Sequence, residues 1–460
     1  MKQYDLIVIG AGGGTKIASP AARMGHKVAI IEKEDLGGTC LNRGCIPSKM
    51  LIHPANVLEQ TNHLHKYGIT HTGEFKTDFP TLVKRVTETV QAESAGIGET
   101  YATLENLDHY AGEATFVNDT TIMVNGEELT AQKIVIATGT RPFVPPIPGL
   151  EGTPYMTSRE ALRQESLPKR LLVIGGGYIA SELGHVYSAM GAETVFFVRD
   201  VYLSHEDETI SQEFQKAFEK KHQTHYGTEN LTVSYEDGMF TLSGTDLDGN
   251  EVTETGDALL VATGVVPNTD NLGLENTSIE TTDRGYIKVD EFLATNVPAI
   301  YAIGDCVGNF LFRHSVNFEG EYLLGQFFQN HTTTPITYPP MPHAVFTSPE
   351  IGGVGATEEQ LRAAGVNYLA VTHEYIHSAQ GMARLPDEGM VKLLFDRDSK
   401  KLLGAHILGE EAATMVHMLI LAMTMNATST DLLRMIYIHP ALPEIVRNAV
   451  RKAETELSET

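Results

Sequence analysis

Cys40 and Cys45 are two of only three cysteines in the 460-residue sequence, and they lie five positions apart in the segment GGTCLNRGCIPSK, residues 37–49. We expect this segment to begin a helix, whose N-terminus stabilises a thiolate, the reactive form of cysteine. Lys49 follows about one helical turn later and adds a positive charge. If the turn is slightly distorted, the two sulfur atoms can meet at disulfide distance. The segment therefore predicts a reactive thiol pair.

Metal binding and a structural disulfide are the two other common uses of a close cysteine pair. Metal-binding cysteines usually form a CxxC motif with a second pair, or with histidines, at matching spacing. The sequence has no such pattern, so we predict no metal site. A structural disulfide is unusual in a reducing compartment. A redox-active disulfide is the remaining interpretation.

The bulk properties of the chain limit its location and partners. Its length predicts two to four domains, because single hydrophobic cores stop growing at roughly 250–300 residues. The net charge of −25 argues against nucleic acid and anionic membranes, which both require a basic surface. No apolar stretch approaches the roughly 20 residues of a membrane span, and the N-terminal segment is typical of a strand rather than a signal peptide. We expect a cytoplasmic protein with no membrane partner.

The first 33 residues have the pattern of a dinucleotide-binding βαβ unit. An apolar strand, YDLIVIG, runs into the glycine turn GAGGGT, and a helical segment and a second strand, KVAIIEK, follow. Gly10 permits the tight turn, and Gly12 lets the backbone approach a pyrophosphate at the helix N-terminus. Glu32 comes about 20 residues later, where it can hold a ribose hydroxyl. Thr15 takes the third glycine position, so we expect a slightly wider helix–strand spacing.

The same pattern returns at residues 170–200, where Gly175 and Gly177 form the turn. Here the second strand ends in Arg199, followed by Asp200. An arginine at this place suits the ribose phosphate of NADP, although it is also typical of a solvated strand end. Two dinucleotide sites in one chain indicate electron transfer between two cofactors, a flavin and a nicotinamide.

Further motifs occur in an order that resembles a known family. They are IVIATGTRP (134–142), GGGYIASE (175–182), LLVATGVVPN (259–268), IYAIGD (300–305), FTSPEIGGVG (346–355) and HPALPE (439–444). With GGTCLNRGCIPSK, they resemble the class I pyridine nucleotide–disulfide oxidoreductases over essentially the whole chain. This family includes glutathione reductase, mycothione reductase and dihydrolipoamide dehydrogenase.

The resemblance implies an α/β fold with two Rossmann-like dinucleotide-binding domains and a C-terminal α/β dimerisation domain. It implies an FAD-binding domain at residues 1–145 and 266–335. An NAD(P)-binding domain is inserted at residues 146–265, and the dimerisation domain follows at residues 336–460. The implied cofactors are FAD and NADPH or NADH. The residues that we expect to bind them are Gly10, Gly12, Glu32, Gly38, Thr39, Thr138, Gly139, Asp305, Gly175, Gly177, Arg199 and Gly264.

The resemblance also implies catalytic roles. Cys45 is the thiolate next to the flavin, and Cys40 exchanges with the substrate. Lys49 lies by the reactive nitrogen of the flavin and pairs with Glu182, which faces the nicotinamide. Tyr178 is a gate over the flavin, or else a core aromatic residue of its helix.

A histidine and a glutamate near the C-terminus complete the implied site. His439 suits proton transfer in thiol–disulfide exchange, and Glu444 can fix the tautomer of its imidazole. In the family these two residues reach into the partner's site, which implies a homodimer. We interpret Cys306 as a small buried core residue.

The sequence indicates the substrate and the direction of the reaction less clearly. Arg199 and Ala180 favour an NADPH-dependent reductase of a small thiol disulfide, as in glutathione and mycothione reductases, although Ser204 stands where those enzymes have a second arginine. Dihydrolipoamide dehydrogenase, which oxidises a dithiol with NAD, is the alternative. No cysteine follows Cys306, which argues against mercuric reductase. A non-enzymatic redox sensor, or a flavin oxidase or quinone reductase, would not need His439 and Glu444.

Overall fold

The computed structural model describes residues 1–329 and 334–459 as mixed α/β structure. The N-terminal elements are β1 (Lys2–Ile9), α1 (Thr15–Arg23), β2 (Val28–Glu32), α2 (Gly38–Arg43), α3 (Cys45–Thr61), α4 (Phe79–Ala102), β3 (Leu107–Ala111), β4 (Thr115–Asn118), β5 (Thr121–Val124), β6 (Glu127–Ile136) and β7 (Thr140–Pro142). The middle elements are α5 (Ser158–Ala161), β8 (Arg170–Ile174), α6 (Tyr178–Ala189), β9 (Glu193–Val198), α7 (Glu208–Phe218), β10 (Gln223–Tyr226), β11 (Glu229–Glu236), β12 (Met239–Thr245), β13 (Glu251–Gly256), β14 (Ala258–Val261) and β15 (Val265–Pro267). The C-terminal elements are β16 (Ile300–Ala302), α8 (Arg313–Phe328), β17 (Pro342–Val345), β18 (Ile351–Gly355), α9 (Glu358–Ala363), β19 (Tyr368–Glu374), α10 (Ala379–Arg384), β20 (Met390–Asp396), β21 (Leu402–Leu408), α11 (Ala412–Thr424), α12 (Ser429–Arg434) and α13 (Glu444–Ser458).

Two sheets form the nucleotide-binding units, and both have a parallel core, to which β4 and β5 of the first sheet are added antiparallel. In the first, the strand order is β3-β2-β1-β6-β5-β4, and β16 pairs with β6. In the second, the order is β10-β9-β8-β14. The central strands are buried on both faces, as β8 with its run Leu171–Ile174 shows, which is typical of parallel sheets covered by helices. The antiparallel pair β7–β15 connects the two units.

The C-terminal unit is an antiparallel sheet of order β17-β18-β21-β20-β19. Helices α11 and α13 pack against it and share its apolar core. The predicted fold class is confirmed. The domain borders expected near residues 145, 265 and 335 stay a prediction. Within the described residues, no helix is long and apolar enough to cross a bilayer.

The two glycine turns are built alike. Gly10 has φ of +105°, and a Cβ placed on it would lie 2.3 Å from the carbonyl oxygen of Ala137. Gly175 has φ of +131°, and its Cβ would lie 2.3 Å from the carbonyl oxygen of Ala262. Both turns therefore require glycine, for conformation and for space. Each brings a strand end against one of the two ATG segments.

Gly14 makes the close helix–strand contact that the sequence analysis associated with the position of Thr15. A Cβ on Gly14 would lie 2.4 Å from Cγ1 of Val8, on β1. The hydroxyl of Thr15 donates instead to the carbonyl oxygen of Gly12, at 2.9 Å. The glycine needed for close packing is therefore present, one position earlier than the usual motif places it.

Candidate active site

One cavity of about 2620 Å³ connects the two glycine turns. Its walls include Gly12 of the first turn, Gly177 of the second, and Cys45 and Lys49 between them. A typical pocket for one small ligand holds about 300–1,000 Å³. The cavity is therefore large enough for two dinucleotides that meet at the thiol pair.

Cys40 and Cys45 lie on two different helices. Cys40 is inside α2, Gly44 breaks the helix with φ of −141° and ψ of −120°, and Cys45 is the first residue of α3. The sequence analysis expected one helix start for the pair, and the structure has two, with Cys40 in the first turn of α2 and Cys45 as the first residue of α3. Both cysteines carry free thiols, and both line the cavity.

The pKa values of the two thiols are shifted in opposite directions. A hydrogen bond from Cys40 lowers the pKa of Cys45 to about 6, and the charge of Lys49 contributes in the same direction. The same hydrogen bond and partial burial raise the pKa of Cys40 well above its usual range. The reduced pair therefore consists of a Cys45 thiolate and a protonated Cys40 at neutral pH. Such a thiolate is the reactive form in thiol–disulfide exchange.

Lys49 and Glu182 form an ion pair between α3 and α6. The ammonium group of Lys49 donates to both carboxylate oxygens of Glu182, at 2.8 and 3.0 Å. The backbone N–H of Phe346 also donates to Glu182, at 3.0 Å, and Lys49 lies 4.3 Å from the centre of the Phe346 ring. Glu182 is buried, so its charge is held by these donors. The pair joins the thiol helix to the helix of the second glycine turn.

Tyr178 is half-buried at the start of α6 and lines the cavity. Its ring stacks on that of Phe312, with an angle of 24° between the planes and the centroids 6.5 Å apart. Its hydroxyl donates a hydrogen bond to the buried carboxylate of Glu206. Sequence reasoning missed Glu206, because no local pattern links it to Tyr178. The position at the cavity wall is compatible with a gate, and the hydrogen bond holds the ring in place.

The first glycine turn fits the phosphates and ribose of a dinucleotide. A Cβ on Gly38, with φ of +65°, would lie 2.6 Å from the Cα of Gly12, so both backbones face the cavity without side chains between them. Glu32 accepts hydrogen bonds from the N–H groups of Ala11 and Glu34, at 2.9 and 3.0 Å. Burial raises its pKa above the usual value. These contacts point the carboxylate at the turn.

Asp305 lines the same cavity. It accepts a hydrogen bond from the hydroxyl of Thr140, at 3.1 Å, and burial raises its pKa. A sugar hydroxyl would satisfy this carboxylate further. The buried Glu319 accepts from the N–H of Gly304, at 2.6 Å, and so supports the segment that carries Asp305. The cavity wall also includes Thr39, Thr138 and Gly139.

The second glycine turn opens onto Arg199, Asp200 and Gly264, which all line the cavity. Arg199 is exposed at the end of β9, and among the described residues no carboxylate lies within ion-pair distance of it. Ser204 and His205 line the same part of the cavity. His205 is a further candidate hydrogen-bond donor that the sequence analysis did not single out.

His439 and Glu444 form a pair outside the cavity. Nδ1 of His439 lies 3.1 Å from both oxygens of Glu444, which is buried and also pairs with Arg447 at 2.7 Å. The His439 side chain itself is 71% exposed. The fold therefore brings His439 and Glu444 together, but it does not bring them to the thiol pair of the same chain.

Comparisons with known proteins agree with this architecture. The family described as pyridine nucleotide-disulphide oxidoreductase matches residues 4–322, and its dimerisation domain matches residues 341–450. A mycothione reductase from Mycobacterium tuberculosis is 35% identical over 467 residues, which cover 98% of this chain and 99% of the relative. A mitochondrial dihydrolipoyl dehydrogenase from Dictyostelium discoideum is 33% identical over 465 residues, which cover 98% and 94%. The solved structure of the HOCl-induced flavoprotein disulfide reductase RclA from Escherichia coli matches with a TM-score of 0.86 and 27% identity, over 97% of this chain and 99% of that chain.

Two nucleotide-binding units and a thiol pair in one cavity define a flavin-dependent disulfide oxidoreductase. The chain belongs to the pyridine nucleotide–disulfide oxidoreductase family, whose members depend on FAD and use NAD(P)H. The predicted family and enzyme class are confirmed. The match to the dimerisation domain indicates a homodimer.

Proposed function

We propose that this protein is a cytoplasmic reductase that passes electrons from NADPH through FAD and the Cys40–Cys45 pair to a small thiol disulfide. The substrate class is that of glutathione or mycothione disulfide. One observation carries the proposal. A single cavity joins both glycine turns to the thiol pair, in which the pKa of Cys45 is lowered and that of Cys40 is raised. The 35% identity to mycothione reductase supports the substrate class.

The first glycine turn and the segment around Asp305 would hold FAD. The glycine backbones at Gly12 and Gly38 would face the pyrophosphate, and Glu32 and Asp305 would accept hydrogen bonds from sugar hydroxyls. When bound, FAD relays two electrons from the nicotinamide to the Cys40–Cys45 disulfide. Lys49 and Glu182 would lie where the two cofactors meet.

The reduced pair then carries out two exchange steps. The Cys40 sulfur, after losing its proton, attacks the substrate disulfide, forms a mixed disulfide and releases one thiolate. The Cys45 thiolate attacks the Cys40 sulfur of that mixed disulfide, restores the Cys40–Cys45 bond and releases the second thiolate. Two electrons move from the pair to the substrate, and each released thiolate takes up one proton. A low pKa suits Cys45 to the second attack at neutral pH.

A base must take the proton of Cys40, because the raised pKa keeps this thiol protonated. We propose that His439 of the partner subunit is this base and then protonates the first leaving thiolate. Glu444 fixes its tautomer by accepting at Nδ1, which leaves Nε2 for proton transfer. Ile436 and Ile438, beside His439, are 96% and 79% exposed in the single chain, as expected for a segment that a partner covers.

NADPH is the proposed electron donor because Arg199 faces the cavity with no carboxylate paired to it among the described residues. A guanidinium binds a phosphate group through two parallel hydrogen bonds. His205, on the same wall, offers a second donor. The neighbouring Asp200 would repel the phosphate, so we expect a preference for NADPH rather than strict discrimination.

Steady-state turnover of the purified homodimer tests the proposal. We expect NADPH to support reduction of glutathione disulfide or mycothione disulfide with a higher kcat/KM than NADH. Arg199→Ala should reduce this ratio by about tenfold, the equivalent of ~1.4 kcal/mol, while Arg159→Ala is a matched control on an arginine outside the cavity. If both nucleotides fail with every small disulfide, the reductase proposal is wrong.

Dihydrolipoamide dehydrogenase activity is the second candidate, favoured by 33% identity to a dihydrolipoyl dehydrogenase. The same thiol chemistry run in reverse would oxidise a dithiol with NAD. The two candidates differ in donor and direction. Fast NAD-dependent oxidation of dihydrolipoamide, with slow NADPH-dependent disulfide reduction, would select the second.

A further inference from the structure

Glu206, His343 and His406 form a buried cluster between the second nucleotide-binding unit and the C-terminal sheet. One carboxylate oxygen and one nitrogen of each imidazole all lie within 4.8 Å of one another. Nε2 of His343 lies 2.8 Å from Oε2 of Glu206. The carboxylate of Glu206 is fully buried, and so is His406.

The sheet register creates this cluster. His343 on β17 is paired with Gly353 on β18, and Gly353 is paired with His406 on β21. Residues in such a row point to the same face, and the glycine between the two imidazoles has no side chain. A Cβ on Gly353 would lie 2.3 Å from Nε2 of His343, so the ring leans over the glycine towards His406. The two ring centres are 6.4 Å apart.

His406 has an unused lone pair. Its Nε2 donates to the carbonyl oxygen of Ala356, at 3.0 Å, which places the single ring proton on Nε2 and leaves Nδ1 as an acceptor. Nδ1 is buried, and no described residue provides it with a hydrogen-bond partner. An imidazole fixed through one nitrogen by a backbone carbonyl is a common arrangement of metal-binding histidines.

The charge of Glu206 also lacks a fixed counter-ion. Among the described residues, no lysine or arginine lies within ion-pair distance of it, and its donors are Tyr178 and His343. The adjacent Asp207 differs, because the buried Lys392 neutralises it at 2.8 Å. A buried carboxylate needs a cation nearby or a well-bonded protein environment.

We propose that Glu206, His343 and His406 form a binding site for a divalent transition-metal ion, and that Zn²⁺ is the ion which suits it. Two imidazoles and one glutamate are an established ligand set for zinc, with a fourth position open. Zinc–ligand bonds of about 2.0 Å at tetrahedral angles separate neighbouring ligand atoms by about 3.3 Å. Side-chain shifts of about 1 Å would bring the three ligand atoms to that spacing. The sequence analysis expected no metal because it considered only ligands at matching spacing around the cysteine pair, and these three residues are far apart along the chain.

The site would lie beside the cavity, because Tyr178 and His343 both line its wall. Glu206 would bind the ion through one oxygen while the other accepts from Tyr178. His343 lines the cavity, which provides a route for the ion. A bound ion would tie the segment before α7 to the C-terminal sheet and keep Tyr178 in its observed position.

Zinc titration of the full-length holoprotein tests this site. The parent protein carries Cys40→Ser and Cys45→Ser, so that no thiolate of the pair binds zinc, and no affinity tag. We expect calorimetry to show one Zn²⁺ per subunit, and zinc to raise the Tm of the protein. His343→Gln should weaken binding by more than about 100-fold, the upper end for loss of an outer-shell partner, and abolish the rise in Tm. His314→Gln, next to Pro342 but outside the cluster, should leave both unchanged.

Two results would overturn the proposal. The first is the absence of zinc binding to a folded, FAD-containing parent protein, which would mean that water fills the cluster. The second is stoichiometric binding that His343→Gln and Glu206→Gln leave unchanged, which would place the ion elsewhere. The test uses His343→Gln because His343 is partly exposed, whereas His406 is fully buried and its substitution could prevent folding. None of these readouts depends on disulfide reductase turnover.

Discussion

The low pKa of Cys45 depends on the hydrogen bond from the Cys40 thiol. Removing this donor should therefore raise the pKa of Cys45. In Cys40→Ala the hydrogen bond is lost, so the pKa of Cys45 should rise from about 6 towards its ordinary value. At pH 7 a thiol with a pKa of about 6 is roughly nine-tenths ionised, whereas a thiol with a pKa of about 8.5 is only about 3% ionised. Lys49 still favours the thiolate, so we expect a final pKa of about 7–8.

The assay is the pH dependence of Cys45 alkylation by iodoacetamide, in the anaerobic, FAD-containing protein. Cys306 is fully buried and does not compete. The midpoint of the profile is the quantity to compare, because a thiolate with a lower pKa is also a weaker nucleophile (Brønsted coefficient about 0.4–0.5). This compensation makes the rate at a single pH insensitive to the change.

Cys40→Ser is the matched control, since its hydroxyl can still donate to the Cys45 sulfur. We expect midpoints near pH 6 in Cys40→Ser and at least about one pH unit higher in Cys40→Ala. Equal midpoints in the two variants would refute the reasoning. The low pKa would then come from Lys49 or from the start of α3, and not from the neighbouring thiol.

Three further predictions concern the cofactors and the partner subunit. Gly10→Ala should yield protein without FAD, because its Cβ would lie 2.3 Å from the Ala137 carbonyl oxygen; flavin absorbance measures this, and normal FAD content would contradict the placement. Gly175→Ala should retain FAD and raise the KM for NADPH by about tenfold or more, so loss of FAD instead would show that the two turns are not independent. His439→Gln should leave reduction of the enzyme by NADPH unchanged in stopped-flow experiments and lower disulfide turnover by about 10²–10⁴-fold; slower reduction by NADPH would exclude a role confined to the exchange step.

The two nucleotide-binding units could be predicted from the sequence because their information is local. Each has a short apolar strand, a glycine turn and a helix within about 30 residues, and both turns have a positive φ at their first glycine. The helix boundary at Cys45 depends on the break at Gly44, whose φ and ψ no sequence pattern indicates. That break places Cys40 on the preceding helix, which the sequence analysis missed.

Contacts between distant segments could be expected only where a family motif supplies them. The Lys49–Glu182 pair joins residues 133 positions apart, and the resemblance alone suggested it. The contacts of Glu206 with Tyr178 and His343 have no such motif and were not foreseen. The two histidines of this cluster are neighbours because the register of β17, β18 and β21 places His343 and His406 on either side of Gly353, and register cannot be read from the strands separately.

The measurement that tests the central claim most directly is a count of thiols after anaerobic addition of one NADPH per subunit. The oxidised holoprotein is mixed with NADPH, quenched with an alkylating reagent and analysed by peptide mass spectrometry. Electron transfer to the Cys40–Cys45 pair predicts that both cysteines become alkylated in each subunit, and that neither does without NADPH. If NADPH is consumed and the flavin loses its colour while Cys40 and Cys45 stay joined, the pair does not receive the electrons and the account is wrong.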